Sequence, residues 1–272
     1  MSYERMRLDT LPDKMDRAIK LYHLAQYEHM RLCVAQTRPV TGDIRTNIEK
    51  HNIMIASAQS ERADVIVFPE LSLTGYEPTL ASRLVCDPDD REFLVFQRTV
   101  DETNTVIGVG MPTRRGNGIC ISIVLFRPHQ SKLIYSKRYL HSDEEPFFVT
   151  GNNLGPLTLG ETKIAPAICY EISIPNHAAH AIADGANIYL ASVNKSVKRI
   201  DDALQRLGDI ASGYSIPVLM SNCVGFCDGA ACAGRTSIWN EKGALVGQLD
   251  DRSEAVLLLD TVTEEIIERR IN

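Results

Sequence analysis

No run of apolar residues in this chain approaches the roughly 18 to 20 that a membrane-spanning helix requires. The most apolar segments, 164–169 and 186–193, are short and interrupted. A surplus of positive charge is missing as well. Lys and Arg number 29 against 35 Asp and Glu, mixed along the sequence to a net charge of −6, so a polyanion meets no sequence-wide attraction. Neither a membrane nor nucleic acid is therefore expected as a partner. The glycines do not form a phosphate or dinucleotide loop: Gly108-Val109-Gly110 and Gly116-Asn117-Gly118 read only as turn material, and no nucleotide is implied. Ser212 to Ser215 lacks the Gly-x-Ser-x-Gly context of a serine hydrolase. Residues 1–29 show no apolar centre and no small-residue cleavage site, so the expectation is a soluble cytoplasmic protein.

Cysteine is present in an odd number, seven, in a chain of 272 residues that needs no staples, which points to reduced thiols. Three of them, Cys223, Cys227 and Cys232, follow a C-x3-C-x4-C spacing that matches no structural zinc pattern and has no histidine close behind it. His177 and His180 sit three apart on a predicted helix without the carboxylate of a metalloprotease motif. Neither constellation calls for a metal, and nothing calls for a cofactor.

What is present reads as one globular domain, 30–272, preceded by an extension, 1–29. The extension balances five basic against five acidic residues and carries a predicted helix marked by Met15, Ile19, Tyr22 and Gln26. Strands are expected at 31–36, 64–68, 105–109, 119–127 and 132–135, then at 164–169, 186–193, 217–220, 235–240, 244–249 and 255–260. Helices are expected at 47–60, 90–99, 175–184 and 200–213, with Pro175 suited to a first turn and Gly185 to an end. Helices interleave with strands early and hairpins become commoner later, which predicts a layered α/β domain with mixed sheets.

Three segments share an arrangement in which an apolar run delivers a reactive side chain at or just past its end. They are VIVFPELSLTGY at 65–76, LIYSKRYL at 133–140 and IAPAICYE at 164–171. Strand ends can hold groups within the tolerances that chemistry requires. A cysteine needs a base or a nearby cation to become a nucleophile, a buried carboxylate can serve as that base, and an ammonium can face a developing oxyanion.

Together these segments resemble the nitrilase superfamily, the carbon-nitrogen hydrolases, over residues 31–260. Phe147-Phe148-Val149-Thr150-Gly151, the run Gly234 to Trp239, and Asn240-Glu241-Lys242-Gly243 support the match. The resemblance implies a four-layer αββα sandwich with two mixed β-sheets and pairing into a homodimer or higher homo-oligomer, with residues 172–182 near the contact. It places the catalytic residues at Glu70, Lys137 and Cys169, and an auxiliary carboxylate at Glu144, with adjacent Glu145 as the alternative. The Tyr170 backbone N–H becomes an oxyanion donor, and Tyr76 and Asn194 become pocket residues. Asn222 and Gly225 fit part of a late Asn-Arg-x-Gly motif in which this chain has Cys223 in place of Arg. The implied reaction is hydrolysis of a small amide or carbamoyl-amide through a Cys169 thioester. Nitrile hydrolysis, soluble acyl transfer and a non-catalytic oligomeric scaffold are the alternatives.

Overall fold

The computed structural model describes residues 29–152 and 154–271; the helix expected within the N-terminal extension lies outside them. In chain order the first strands are β1 (Arg31–Gln36), β2 (Val65–Val67), β3 (Val106–Arg115), β4 (Gly118–Phe126) and β5 (Leu133–Ser136). Next come β6 (Leu157–Leu159), β7 (Thr162–Ile168), β8 (Ile188–Ser192), β9 (Val218–Ser221), β10 (Val224–Cys227) and β11 (Ala230–Ala233). The last are β12 (Ser237–Trp239), β13 (Leu245–Gln248), β14 (Ala255–Asp260) and β15 (Ile266–Arg270). The longer helices are α1 (Ile44–Ser60), α2 (Leu94–Thr103), α3 (Pro175–Ala183) and α4 (Ile200–Tyr214).

One sheet runs β15-β14-β1-β2-β3-β4-β5 and the other β13-β12-β9-β8-β7-β6, with β10-β11 a separate hairpin. Each large sheet has three parallel strands at its centre, β1-β2-β3 and β7-β8-β9, flanked by antiparallel ones. Their inner faces meet through Leu32, Val34, Val67 and Ile123 on one side and Ile164, Ile188, Leu190 and Leu219 on the other. α1 and α2 cover the outer face of the first sheet, and α3 and α4 that of the second. This is the expected αββα order, and both sheets are mixed. Two buried hydroxyls tie the sheets together: Ser192 donates to the Phe68 carbonyl at 2.8 Å and Ser221 to the Ala35 carbonyl at 2.6 Å.

The helices follow their sequence logic. Ile200, Ala203, Leu207 and Ala211 form the buried stripe of α4, at the three- and four-residue spacing of an amphipathic helix. α1 begins three residues before the expected Asn47, because the Asp43 side chain caps it by accepting the Thr46 N–H at 3.0 Å. Asn47 is buried within the helix, and its Nδ2 donates to the Val40 and Leu73 carbonyls. α2 starts at Leu94, after a tight turn at Arg91–Phe93, and runs to Thr103.

Other expectations need correction. Gly108 and Gly110 lie inside β3, which runs to Arg115, and are not turn material. A Cβ on Gly110 would stand 2.2 Å from the Pro69 carbonyl oxygen, so glycine there admits the chain that carries Glu70. β6, β15 and the β10–β11 hairpin were not anticipated; Asp228-Gly229, with positive φ at both residues, turns that hairpin. The apolar stripe of α3 divides, with Ala178 packed into its own domain's core while Pro175 and Ala179 remain exposed.

His51 on α1 buttresses the Glu70 loop from behind. Its Nδ1–H donates to the Asn47 carbonyl at 2.6 Å, its Nε2 accepts from Ser72 at 3.0 Å, and the ring stacks on Phe68 at 4.0 Å. Burial pushes its pKa down from 6.5 to about 4 despite the Asn47 hydrogen bond. Between those values the unfolded chain binds a proton that the fold refuses. The stabilisation is therefore complete above pH 6.5 and is lost as pH falls toward 4, a loss of about 3 kcal/mol. Replacing His51 with Gln should flatten the dependence of the melting temperature on pH across that window; an unchanged slope would refute the assignment. Glu70 and Glu171, whose raised pKa values act in the opposite direction, are common to both proteins and cancel in the comparison.

Candidate active site

The segments that follow β5, β7 and β8, with Tyr76 from the loop after β2, line one cleft of about 420 Å³, the placement expected where parallel strands of an α/β layer end. Glu70 lies three residues past β2, in a turn where Leu71 adopts φ +49°. Lys137 follows β5 directly, its N–H donating to the Ile121 carbonyl at 2.8 Å and its carbonyl accepting from Gly151 at 2.7 Å. A Cβ on Gly151 would lie 2.2 Å from the Ser136 carbonyl oxygen, so only glycine lets that loop close over the strand end. Cys169 follows β7 and opens a tight turn with φ +44°, a left-handed conformation that costs a non-glycine residue energy and recurs at functional positions. Of the seven cysteines it alone is not buried.

The ammonium of Lys137, fully buried, joins two carboxylates. It donates to Glu70 Oε1 at 2.7 Å and to Glu144 Oε1 at 2.6 Å. Glu144 also accepts from the Tyr76 hydroxyl at 2.9 Å and, through Oε2, from the His141 N–H at 2.8 Å. Glu145 is exposed, so the carboxylate facing Lys137 is Glu144. Burial raises the pKa of Glu70; Lys137 pulls it back and Glu144 pushes it up again. For Lys137 burial opposes the charge, but Glu70, Cys169 and Glu144 overcome it and raise its pKa, so the ammonium stays protonated. The Cys169 thiol is raised by burial and by Glu70, against the lowering influence of Lys195 and Lys137. Burial thus favours the neutral thiol at Cys169 and raises the proton affinity of Glu70 beside a charged Lys137. Among the described residues Glu70 Oε2 has no hydrogen-bond partner, leaving an acceptor free to take a proton.

A buried network supports the strand ends. Glu171 accepts the Ile168 N–H and the Tyr135 hydroxyl through Oε2 and the Arg138 N–H through Oε1, each at 2.7 Å. One carboxylate thereby ties together the chain on either side of Lys137 and Cys169. Tyr135 in turn accepts from His177 Nε2 at 2.7 Å, and His177 Nδ1 accepts from Tyr189 at 2.8 Å. Burial lowers the pKa of His177 to about 4, which keeps it neutral in this chain of donors. Sequence reasoning considered His177 only as a metal ligand, and its spacing from Tyr135 gives no hint that they touch.

Tyr76, Asn194 and Tyr170 all line the cleft. The Asn194 carbonyl accepts from the Cys169 thiol at 3.8 Å, and its Oδ1 accepts from the Cys232 thiol at 3.4 Å. Cys223, Cys227 and Cys232 cluster against Tyr76, and Cys227 and Cys232 form part of the cleft's wall. Asn222 is buried behind the site, where its amide spans Lys195 and Gly234.

Residues 31–270 match the profile of the carbon-nitrogen hydrolase family. The chain belongs to that family. It is 26% identical over 234 residues to 2-oxoglutaramate amidase of Bacillus subtilis, spanning 84% of this chain and 89% of that protein. It is 24% identical over 251 residues to the glutamine-dependent NAD(+) synthetase of Rhodobacter capsulatus, but spans only 44% of that protein's length while 86% of this chain is matched. Among solved structures, NitN amidase from Nesterenkonia sp. AN1 superposes with a TM-score of 0.77 at 21% identity, over 87% of this chain and 96% of the amidase. This carbon-nitrogen hydrolase shares that fold, and it is an α/β enzyme with no helix, among the described residues, long and apolar enough to cross a membrane.

Proposed function

We propose that the protein hydrolyses small amides through a thioester on Cys169. The observation that carries this reading is the meeting of three strand ends, which sets a partly buried thiol in a left-handed turn beside a buried ammonium and a buried carboxylate with one oxygen unpartnered among the described residues. The amide carbon is attacked by Cys169 Sγ as Glu70 takes the thiol proton. The developing oxyanion is met by Lys137 Nζ and by the Tyr170 backbone N–H, the first donor after the nucleophile. Glu70 returns its proton to the departing nitrogen, ammonia or amine leaves, and the thioester remains. Glu70 then draws a proton from water, whose oxygen attacks the thioester carbon; as the C–S bond breaks and the acid leaves, Glu70 gives that proton to the Cys169 sulfur. Glu144, held by Tyr76 and His141, keeps Lys137 charged and aimed.

The similar proteins support this choice of substrate class. 2-Oxoglutaramate amidase carries the amide in its name, and the Nesterenkonia amidase has been captured with butyramide and with the acetamide moiety of fluoroacetamide added at its active-site cysteine. Pairing into a homodimer belongs to the same reading, and the exposed Pro175 and Ala179 of α3 are available to it.

Butyramide and acetamide should yield ammonia and the free acid in equal amounts, and fluoroacetamide should add once, at Cys169, by peptide mass mapping. Light scattering on the same preparation should show a dimer. Labelling at any other cysteine, or ammonia production that survives complete labelling of Cys169, would refute the thioester; a monomer would refute the pairing.

A further inference from the structure

Two thiols in the cleft wall take no part in the reaction derived above. Cys227 and Cys232 belong to the β10–β11 hairpin, where Cys227 pairs with Ala230 and Gly225 with Cys232. Alternation along the strands therefore turns both cysteines to one face of the hairpin, diagonal to each other, and with Cys223 they pack against Tyr76. The hairpin is tied down on two sides. The Asp228 N–H at its turn donates to Glu77 Oε1 at 2.8 Å, next to Tyr76. The Ala233 N–H donates to the Lys195 carbonyl at 2.9 Å and the Val197 N–H to the Ala231 carbonyl at 3.0 Å, next to Asn194.

Both residues that meet the pair also hold the active site. The Tyr76 hydroxyl donates to Glu144, the carboxylate that aims Lys137. The Asn194 carbonyl accepts from the Cys169 thiol, and its side chain meets both hairpin cysteines. Oδ1 accepts from the Cys232 thiol at 3.4 Å, while the buried Nδ2 lies toward Cys227 and completes no hydrogen bond among the described residues.

The Cys227 sulfur is surrounded by donors. The Cys232 S–H, the Asn194 amide and the Tyr76 backbone N–H outweigh burial and the charge of Glu77, and they bring its thiol down from 9.0 to about 7. Cys232 moves the opposite way, chiefly through its hydrogen bond to Cys227, so the pair shares one negative charge and Cys227 carries it. A thiolate reacts with peroxides and a neutral thiol does not. An oxygen set on the Cys227 sulfur would also give Asn194 Nδ2 the acceptor it lacks, an acceptor that a buried atom can find only within the protein.

We propose that Cys227 and Cys232 are a peroxide-responsive thiol pair whose oxidation to a disulfide in the cleft wall turns the enzyme off; the loss of activity, though not the chemistry of the pair, rests on the amide-hydrolase reading. The Cys227 thiolate attacks one oxygen of hydrogen peroxide, the O–O bond breaks, hydroxide leaves, and a sulfenic acid remains. The sulfur gives up two electrons and the peroxide takes them. Cys232 sulfur then attacks Cys227 sulfur, the S–S bond forms as the S–O bond breaks, and the Cys232 proton departs with that oxygen as water. Diagonal cysteines must close on each other to bond, which shifts the hairpin against Tyr76, and the bridge removes the S–H that Asn194 Oδ1 accepts. Glu144 and Cys169 each lose a fixed neighbour. A thiol reductant returns two electrons and restores both.

The chemistry is tested on a Cys169→Ala protein, which removes the competing nucleophile. Hydrogen peroxide should leave it lighter by two hydrogens, and cleavage before Asp228 should yield two pieces that stay joined until dithiothreitol is added, with Cys223→Ser making no difference. With Cys232→Ser in place, dimedone should trap the sulfenic acid at Cys227. Activity is then followed in proteins that keep Cys169, each compared with its own untreated sample, at a peroxide dose that leaves Cys169 unmodified by mass. Misplacing a catalytic group by about 1 Å can cost about 100-fold, so ammonia release from butyramide should fall at least about tenfold on bridging and return with dithiothreitol. In Cys227→Ala protein the ratio of untreated to treated rate should stay near one. No bridge, dimedone on other cysteines in place of Cys227, a bridge with unchanged ammonia release, or equal sensitivity in Cys227→Ala protein overturns the proposal. A bridge that forms in a protein releasing no ammonia from any amide before oxidation would overturn the hydrolytic reading and leave the thiol pair standing.

Discussion

Exchanging Cys169 for serine is expected to reduce amide turnover by at least about 10⁴-fold while leaving the fold intact. The side chain is only partly buried and packs at the margin of two apolar clusters, with a weak hydrogen bond at 3.8 Å to the Asn194 carbonyl, so the slightly smaller oxygen in place of sulfur disturbs little packing. The left-handed backbone at 169 is no harder for serine than for cysteine. The loss is chemical. A thiol can still pass its proton to a nearby carboxylate whose own proton affinity burial has raised, because an unperturbed thiol is far more acidic than an alcohol. An alcohol lies several units further away, and Glu70 is too weak a base to close that gap. Steady-state ammonia release and circular dichroism on the same samples decide the matter: a folded serine protein within tenfold of the original rate would remove Cys169 from the role.

The second large effect is expected at Lys137, where chemistry and stability fall together and can be separated. Glu70 and Glu144 share this one ammonium at 2.7 and 2.6 Å, and all three groups are buried. Lys137→Ala leaves two carboxylates with no cation between them, a change that typically costs about 3 to 5 kcal/mol. The protein relieves it by binding a proton, so one carboxyl pKa rises and the folded state of the variant holds more protons than the unfolded chain. Its stability relative to the original should consequently improve as pH is lowered below neutrality. The rate should drop at least about 100-fold, since the oxyanion loses a donor and a protonated Glu70 is no base. Adding Glu144→Gln removes the repulsion and should restore much of the stability without restoring the rate. Lys137→Arg should fail as well, because a planar guanidinium does not fit a site shaped for an ammonium held by two carboxylates. Single-turnover measurements isolate the chemical step. A double variant that recovers activity along with stability would show that Lys137 serves the fold alone.

The sequence alone determined the layered α/β character, most of the strands and the approximate helices, since those follow from apolar periodicity and from caps and turns that act over a few residues. The resemblance of its short motifs to the nitrilase superfamily marked Glu70, Lys137 and Cys169, each at or just past a legible apolar run, and the vicinity of Glu144. Contacts between residues far apart in the chain belonged to the tertiary structure. Only packing of two sheets with their parallel strand ends together could bring Lys137 between Glu70 and Glu144, bury the trio, and leave one Glu70 oxygen unpartnered. Choosing Glu144 over Glu145 required the turn that buries one and exposes its neighbour. The Glu171 network joins residues from 135 to 189, and no local pattern encodes it. Lys195 was invisible for the same reason: a lysine in sequence is a surface charge by default, and what distinguishes this one is a half-buried position in the cleft wall, where its charge favours the Cys169 thiolate. Propensity and pattern are properties of neighbours along the chain, whereas burial, charge pairing and the shift of a proton's affinity are set by whatever the fold places across from them.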